Sequence, residues 1–307
     1  MYDRAEVAEL ADAHGSGPCT RKGVGVRVPP SAPNFSLTQC MSTQLEQILA
    51  HSLNVVSDRR ALANIALLER YAAAHSPRGF EAGLRKVTAS GPAIIAELKK
   101  ASPSRGLIRP DFDAAALAHS LQAAGAAALS VLTDEKFFQG SLENLTLASA
   151  AVSIPCLRKD FILDPFQILE ARAAGADAIL LIVAALTDAA LKGLRDEARR
   201  MEMDVLCEVH DRAELDRAVT LNFTVIGINS RNLHTMQVEP QTHIDLAQWL
   251  PRDAVHVAES GIQSAADISQ LRCAGYHAFL VGESLMRQSD PAAALSALLG
   301  PESAPSK

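Results

Sequence analysis

Glu97 and Lys99 stand two residues apart in the apolar run 93–99, so in an extended strand both side chains leave the same face. Glu208 and His210 repeat that relation, as do Asn229 and Arg231. An acid and a base held side by side can pass protons, but they can also form a satisfied structural ion pair. One such pair decides nothing. Seven apolar runs, however, end in polar groups: Glu97-Leu98-Lys99, Thr133-Asp134, Arg158-Lys159-Asp160, Glu208-Val209-His210, Asn229-Ser230-Arg231, Glu259-Ser260 and Gly282-Glu283. Burying so much charge unpaired is too costly to be incidental, so these run ends are expected to share one polar site. Taken alone, His210 is expected to orient a loop rather than do chemistry.

Two segments suit a phosphate. Ser260-Gly261 follows the seventh run, and Gly282-Glu283-Ser284-Leu285-Met286 follows the eighth, where it can open a short helix whose free N–H groups attract an anion. The nine histidines show no HxH or HExxH spacing, and no GxGxxG or P-loop occurs, so no metal and no nucleotide cofactor are expected. Cys19, Cys40, Cys156, Cys207 and Cys273 form no CxxC pair. Cys156 and Cys207 read as small buried hydrophobes, and a reducing cytoplasmic setting is expected. The net charge of −6 and pI near 5.9 give no reason to expect nucleic-acid binding. The longest apolar stretch, 178–186, is too short to span a bilayer.

The elements that must carry these groups follow from the hydrophobic period. Apolar runs at 93–99, 128–134, 155–161, 178–184, 204–210, 225–231, 256–261 and 278–284 alternate with amphipathic stretches, each long enough for a helix and two loops. Alternating strands and helices imply a parallel sheet with right-handed crossovers, and eight units imply a closed (β/α)₈ barrel over 93–300. In such a barrel the active site lies where the strands end. An internal repeat fits this design: Ala123–Val131, Ala173–Leu181 and Cys273–Val281 each pass a glycine (Gly125, Gly175, Gly275) between helix and strand. Asp164-Pro165 and Ser264 with Asp267 read as helix starts. Leu191, Leu194, Ala198 and Met201 form one apolar stripe.

Before the barrel, 41–92 reads as a helical lead-in packed on it, with one helix through Leu45, Ile48, Leu49, Leu53 and Val56. A second is expected through Leu62, Ile65, Leu68 and Tyr71. Residues 1–40 show no sustained period and are rich in Gly, Pro and Ser from Gly15 to Ser36. They are expected to be a non-native or disordered extension. The run 15–33 resembles the conceptual translation of a transfer-RNA gene, with the natural chain beginning at Met41. Residues 301–307 read as a tail.

Ile95-Ala96-Glu97-Leu98-Lys99-Lys100-Ala101-Ser102-Pro103-Ser104-Arg105-Gly106 resembles the signature of the indole-3-glycerol phosphate synthases. The segments 157–162 (LRKDFI), 228–233 (INSRNL) and 258–262 (AESGI) match further motifs of that family, in order. The resemblance covers about 41–299 and corresponds to the single-function form. It implies ring closure of 1-(2-carboxyphenylamino)-1-deoxyribulose 5-phosphate with loss of carbon dioxide and water, in tryptophan biosynthesis. It further implies Lys159 as the acid for ring closure, Glu208 as base and Lys99 as acid in dehydration, and Glu97, Asn229 and Glu259 as orienting groups. Arg231 is implied near the substrate carboxylate, and Ser102, Ser260, Gly261, Gly282 and Glu283 in substrate and phosphate binding. A lysine acid works best when its pKa is lowered toward neutrality, and that shift is expected here. The segment 102–109 is expected to act as a lid. The implied partner is a phosphorylated small molecule, with no membrane and no nucleic acid, bound by a monomer. A phosphoribosyl isomerase leaves the two lysines unexplained, and a non-catalytic scaffold leaves the whole set unexplained.

Overall fold

The computed structural model describes residues 43–233 and 235–300, so the readings of 1–40 and 301–307 lie outside the described residues. Eight strands form the barrel: β1 (Ala93–Leu98), β2 (Ala128–Leu132), β3 (Cys156–Lys159), β4 (Ala178–Ile182), β5 (Asp204–Val209), β6 (Val225–Asn229), β7 (Val255–Glu259) and β8 (Ala278–Val281). Every neighbouring pair is parallel, and β1 pairs with both β2 and β8, which closes the ring. Each strand stops short of the end of its apolar run.

The two-residue period of a strand divides the core in two. Ala93 and Ile95 of β1 point into the barrel with Leu157, Leu180, Leu206 and Val257. Ile94, Ala96 and Leu98 point outward into a second core beneath the helices. The helices start where polar side chains can cap them. Asp164 with Gln167 and Ser264 with Asp267 form full capping boxes, and Pro165 opens its helix. The repeat glycines Gly125, Gly175 and Gly275 all have positive φ, as a helix-ending turn requires. Leu191, Leu194 and Ala198 are buried as one stripe, while Met201 lies just past the helix end and is half-buried.

Three helices precede β1: α1 (Gln44–Leu62), α2 (Ile65–Ala74) and α3 (Phe80–Thr88). On α1, Ile48, Ser52 and Val56 are buried, and Arg59 pairs with Glu170 at 2.8 Å. The expected stripe on the second helix is not there. Leu62 ends α1 and is 88% exposed, Tyr71 is half exposed, and Ala72 is the buried residue of α2. The lead-in is fixed by polar anchors instead. Buried Asp177 accepts hydrogen bonds from the Arg78 backbone N–H (2.7 Å), Arg78 Nε (2.9 Å) and the Cys156 N–H (2.6 Å), and lies 3.1 Å from His75 Nε2. Burial pushes the Asp177 carboxyl up, but these bonds more than offset it and hold it below its ordinary value. Sequence reading missed α3. Its Phe80 and Leu84 are fully buried in the inner core, and the Glu81 N–H donates to Asp204 at the start of β5. This helix plugs the end of the barrel opposite the strand C-termini.

Candidate active site

The inward positions change character along the strands. On β1, β3, β5 and β7 the inward apolar residues Ile95, Leu157, Leu206 and Val257 are followed two residues later by Glu97, Lys159, Glu208 and Glu259. The same pleat that fills the core thus lifts four charges onto its upper surface. They open into a cavity of about 1050 Å³ at the C-terminal end of the barrel. All twelve residues expected in the site line that cavity: Glu97, Lys99, Ser102, Lys159, Glu208, Asn229, Arg231, Glu259, Ser260, Gly261, Gly282 and Glu283.

Lys159 is the centre. Its ammonium lies 3.0 Å from Glu208 Oε2 and 2.7 Å from Glu259 Oε2, and both carboxylates are nearly sealed from solvent. Across the barrel Lys99 pairs with Glu97. Burial opposes the charge on Lys159, but Glu208, Glu259 and Glu97 outweigh it and hold the amine well above its ordinary value. The expected drop toward neutrality is therefore reversed, because three carboxylates face one ammonium. The two carboxylates split the other way. Burial would raise Glu208, but Lys159 and His210 pull it well below the ordinary range. Glu259, also driven up by burial and faced by Lys159 and Glu208, ends at about 8. The two carboxylates titrate as a pair, with Glu208 held the more acidic and Glu259 the less.

Two glycines make room for this packing. A Cβ on Gly227 would collide with Glu259 Oε1, and one on Gly282 would collide with the Glu97 carboxylate. Gly282 thus presents its bare Cα to Glu97, a contact the phosphate reading does not include. Asn229 accepts from the Ser260 hydroxyl at 2.8 Å and from the Arg231 N–H at 3.0 Å. Ser260 reaches it from a left-handed backbone (φ 67°), an uncommon conformation for a residue with a side chain. Arg231 donates to Met236 O at 3.0 Å, and Glu283 lies among Arg105 (3.1 Å), Arg287 (3.4 Å) and Arg231 (4.0 Å). Among the described residues the buried Ser102 hydroxyl has no hydrogen-bond partner, and it lines the cavity.

Of the other strand-end charges, Asp134 and Asp160 also line the cavity, and all of them make structural contacts. Arg158 points outward, fully buried, and donates to Thr133 Oγ1 (3.1 Å), Gln167 O (2.7 Å) and Asp160 (2.8 Å). Asp134 caps the helix Glu135–Phe138. His210 stands 3.3 Å from Glu208 and 3.0 Å from Glu214 and does not line the cavity. Sequence reading also passed over the apolar wall, formed by Leu180 and Ile182 of β4 with Phe138, Phe161 and Leu233. The signal was present: β4 is the one run without a polar end. Among the described residues no group of three or more His, Cys, Asp or Glu is placed to hold a metal ion, and no helix is long and apolar enough to cross a membrane.

Fold and site together define an acid–base enzyme built at the C-terminal mouth of a (β/α)₈ barrel, with room for a phosphate beside an apolar wall. The model of the indole-3-glycerol phosphate synthase family matches residues 45–298. Indole-3-glycerol phosphate synthase of Koribacter versatilis (strain Ellin345) is 58% identical over 260 residues, 85% of this chain and all of that protein. The enzyme of the same description from Azospirillum brasilense is 49% identical over 261 residues, 84% of this chain and all of that protein. Among solved structures the fold is shared with 3-hexulose-6-phosphate synthase (TM-score 0.55, 14% identity, 67% of this chain and 97% of that one). It is also shared with N-acetylmannosamine-6-phosphate 2-epimerase from Clostridium perfringens (TM-score 0.51, 12% identity, 64% and 89%). At those identities they show the barrel alone. The chain belongs to the indole-3-glycerol phosphate synthase family, and its activity is the carboxy-lyase ring closure that forms indole-3-glycerol phosphate in tryptophan biosynthesis.

Proposed function

We propose that Lys159 is the general acid of ring closure. The observation that carries this is the clamp of Glu208 and Glu259 on its ammonium, which fixes one charged donor at the centre of the cavity floor. The aromatic carbon attacks the ribulose carbonyl, and Lys159 protonates the carbonyl oxygen. Carbon dioxide leaves from the attacking carbon and restores aromaticity. Lys99 then protonates the departing hydroxyl while Glu208, the ionised carboxylate, takes the proton from carbon. Glu97 and Glu259 hold the two lysines, and Asn229, with Ser260, orients the substrate hydroxyls.

The apolar wall around Leu180 and Ile182 takes the aromatic ring, and Arg231 faces its carboxylate. The buried Ser102 hydroxyl, which has no hydrogen-bond partner among the described residues, Gly261, Gly282 and the start of Glu283–Met286 take the phosphate. The segment 102–109 crosses the mouth, tied by Arg105 to Glu283 and by Arg109 to Gln288 O at 2.9 Å, as a lid would be. In this reading the helical lead-in and barrel work as one body, a cytoplasmic monomer that needs no cofactor.

The test is Lys159→Met, followed by indole fluorescence on the carboxyphenylamino substrate. Turnover should fall about 100- to 10,000-fold with an unchanged circular dichroism spectrum. Activity near that of the parent would place the acid elsewhere.

A further inference from the structure

The proton ledger of this reaction leaves one group without a role. Two protons are given, by Lys159 to the carbonyl oxygen and by Lys99 to the departing hydroxyl. One is taken back, by Glu208 from carbon. The difference is the proton that a carboxylate substrate must gain to leave as neutral carbon dioxide and water. Between the two steps Lys159 stands as a neutral amine beside Glu208, which must still act as a base.

Behind Glu208, on the side away from the cavity, the structure places a second proton carrier in line. The Glu208 carboxylate is bridging: Oε2 lies 3.0 Å from Lys159 Nζ, and Oε1 lies 3.3 Å from His210 Nε2. His210 Nδ1 is 3.0 Å from Glu214 Oε2, and the same oxygen accepts the His210 backbone N–H at 2.8 Å. Glu208 is 3% exposed and His210 12%, so the imidazole is shielded; Glu214 fixes its ring at Nδ1, while Nε2, buried without a hydrogen bond among the described residues, faces Glu208 Oε1. The charged groups facing it are Glu208 on its own strand and Glu214 on the following helix (Arg212–Thr220), with Lys159 of β3 beyond Glu208.

We propose that His210, held by Glu214, is a proton reservoir for the Glu208–Lys159 pair. The inference rests on the acid and base roles given above. After ring closure the N–H bond at His210 Nε2 breaks and an O–H bond forms at Glu208 Oε1; the carboxyl then turns, that O–H bond breaks, and the same proton forms the third N–H bond of Lys159. Glu208 is again a carboxylate and Lys159 again an ammonium before dehydration begins. When Glu208 then takes the proton from carbon, it returns one to His210 Nε2. His210, Glu208 and Lys159 end as they started, and Lys99 draws the one net proton from solvent. Burial disfavours a charged imidazole here, but the two flanking carboxylates raise its pKa to about 10, so the reservoir is full at neutral pH.

The test uses His210→Gln, which keeps a polar side chain in place but cannot carry the proton, and Glu214→Gln, which removes the anion that holds the ring. For His210→Gln, kcat should fall about tenfold, less than loss of a direct acid, with KM within twofold. The plot of kcat against deuterium fraction, curved in the parent by several protons in flight, should become linear. Glu214→Gln should show a smaller fall in kcat and a reduced curvature. A kcat within twofold of the parent overturns the proposal, and so does a fall in kcat with the parent's curvature intact, which marks a merely structural role. If His210→Gln does not fold, Glu214→Gln decides alone by the same two readings. Retained activity in Lys159→Met would instead defeat the acid assignment itself, so the two failures are distinguishable.

Discussion

Replacing Gly227 with alanine adds one methyl to a strand that is already extended, so the backbone raises no objection. The objection is steric. The new Cβ would overlap Glu259 Oε1 and stand 3.2 Å from both Glu259 Cδ and Leu206 Cδ1. Leu206 is fully buried, so the carboxylate must yield, by at least about 1 Å in an interior packed like a crystal. Glu259 Oε2 lies 2.7 Å from Lys159, and such a shift takes it to or beyond hydrogen-bonding distance. Displacing a group at the reacting centre by that much costs about 100-fold in rate. The crowding costs about 1–3 kcal/mol of stability, or roughly 2–12 °C in Tm for a domain of this size. Indole fluorescence gives kcat/KM, and a thermal melt gives the stability. If Gly227→Ala keeps kcat/KM within about threefold of the parent, Glu259 does not hold Lys159 in the way described.

Three further outcomes follow from the same geometry. Gly193→Ala lies in an exposed helical turn, where the Cβ meets nothing within 4 Å; it should raise stability by about 0.4–1 kcal/mol without changing turnover, and a lower Tm would count against it. Arg158→Met leaves Asp160 buried without its cation and Glu170 with Arg59 alone, and should cost about 3–5 kcal/mol in urea unfolding; a loss under about 1 kcal/mol would contradict the clamp. His210 has a folded pKa raised from 6.5 to about 10, so its stabilising charge is fully present below pH 6.5 and is lost as pH rises through about 10. The gap in urea midpoint between the parent and His210→Gln should therefore be widest near pH 6 and shrink by pH 10. A gap that does not change with pH would refute the assignment.

The barrel was legible because its signal is repetitive: eight apolar runs and three glycine turns say the same thing eight and three times over. The inward charges were legible by parity, since Glu97 two residues after Ile95 must share its face. Parity puts Lys159 and Arg158 on opposite faces of their strand but does not say which of the two faces the cavity. One faces the cavity, and the other is locked behind the sheet by Gln167 and Glu170 on the next helix. That distinction depends on contacts between distant parts of the chain. So does the direction of the Lys159 shift, which depends on carboxylates from β1, β5 and β7 converging on it. The α3 plug was illegible for a different reason. Nine residues with two apolar anchors give too short a period to stand out.

That plug has a consequence for biosynthesis. Phe80 and Leu84 are made early, yet their socket includes Val255, Val257, Ala278 and Leu280 from the last quarter of the chain. At a translation speed of about 5–20 residues per second, the stopper waits roughly 10–40 s for the strands that receive it. Throughout that interval two large apolar side chains on the nascent chain have no final berth. The last two strands therefore do more than finish the ring: their release from the ribosome is the event that lets the oldest helix of the barrel's floor seat. A chain stalled or truncated before β8 lacks Ala278 and Leu280 and so leaves this helix without its complete socket.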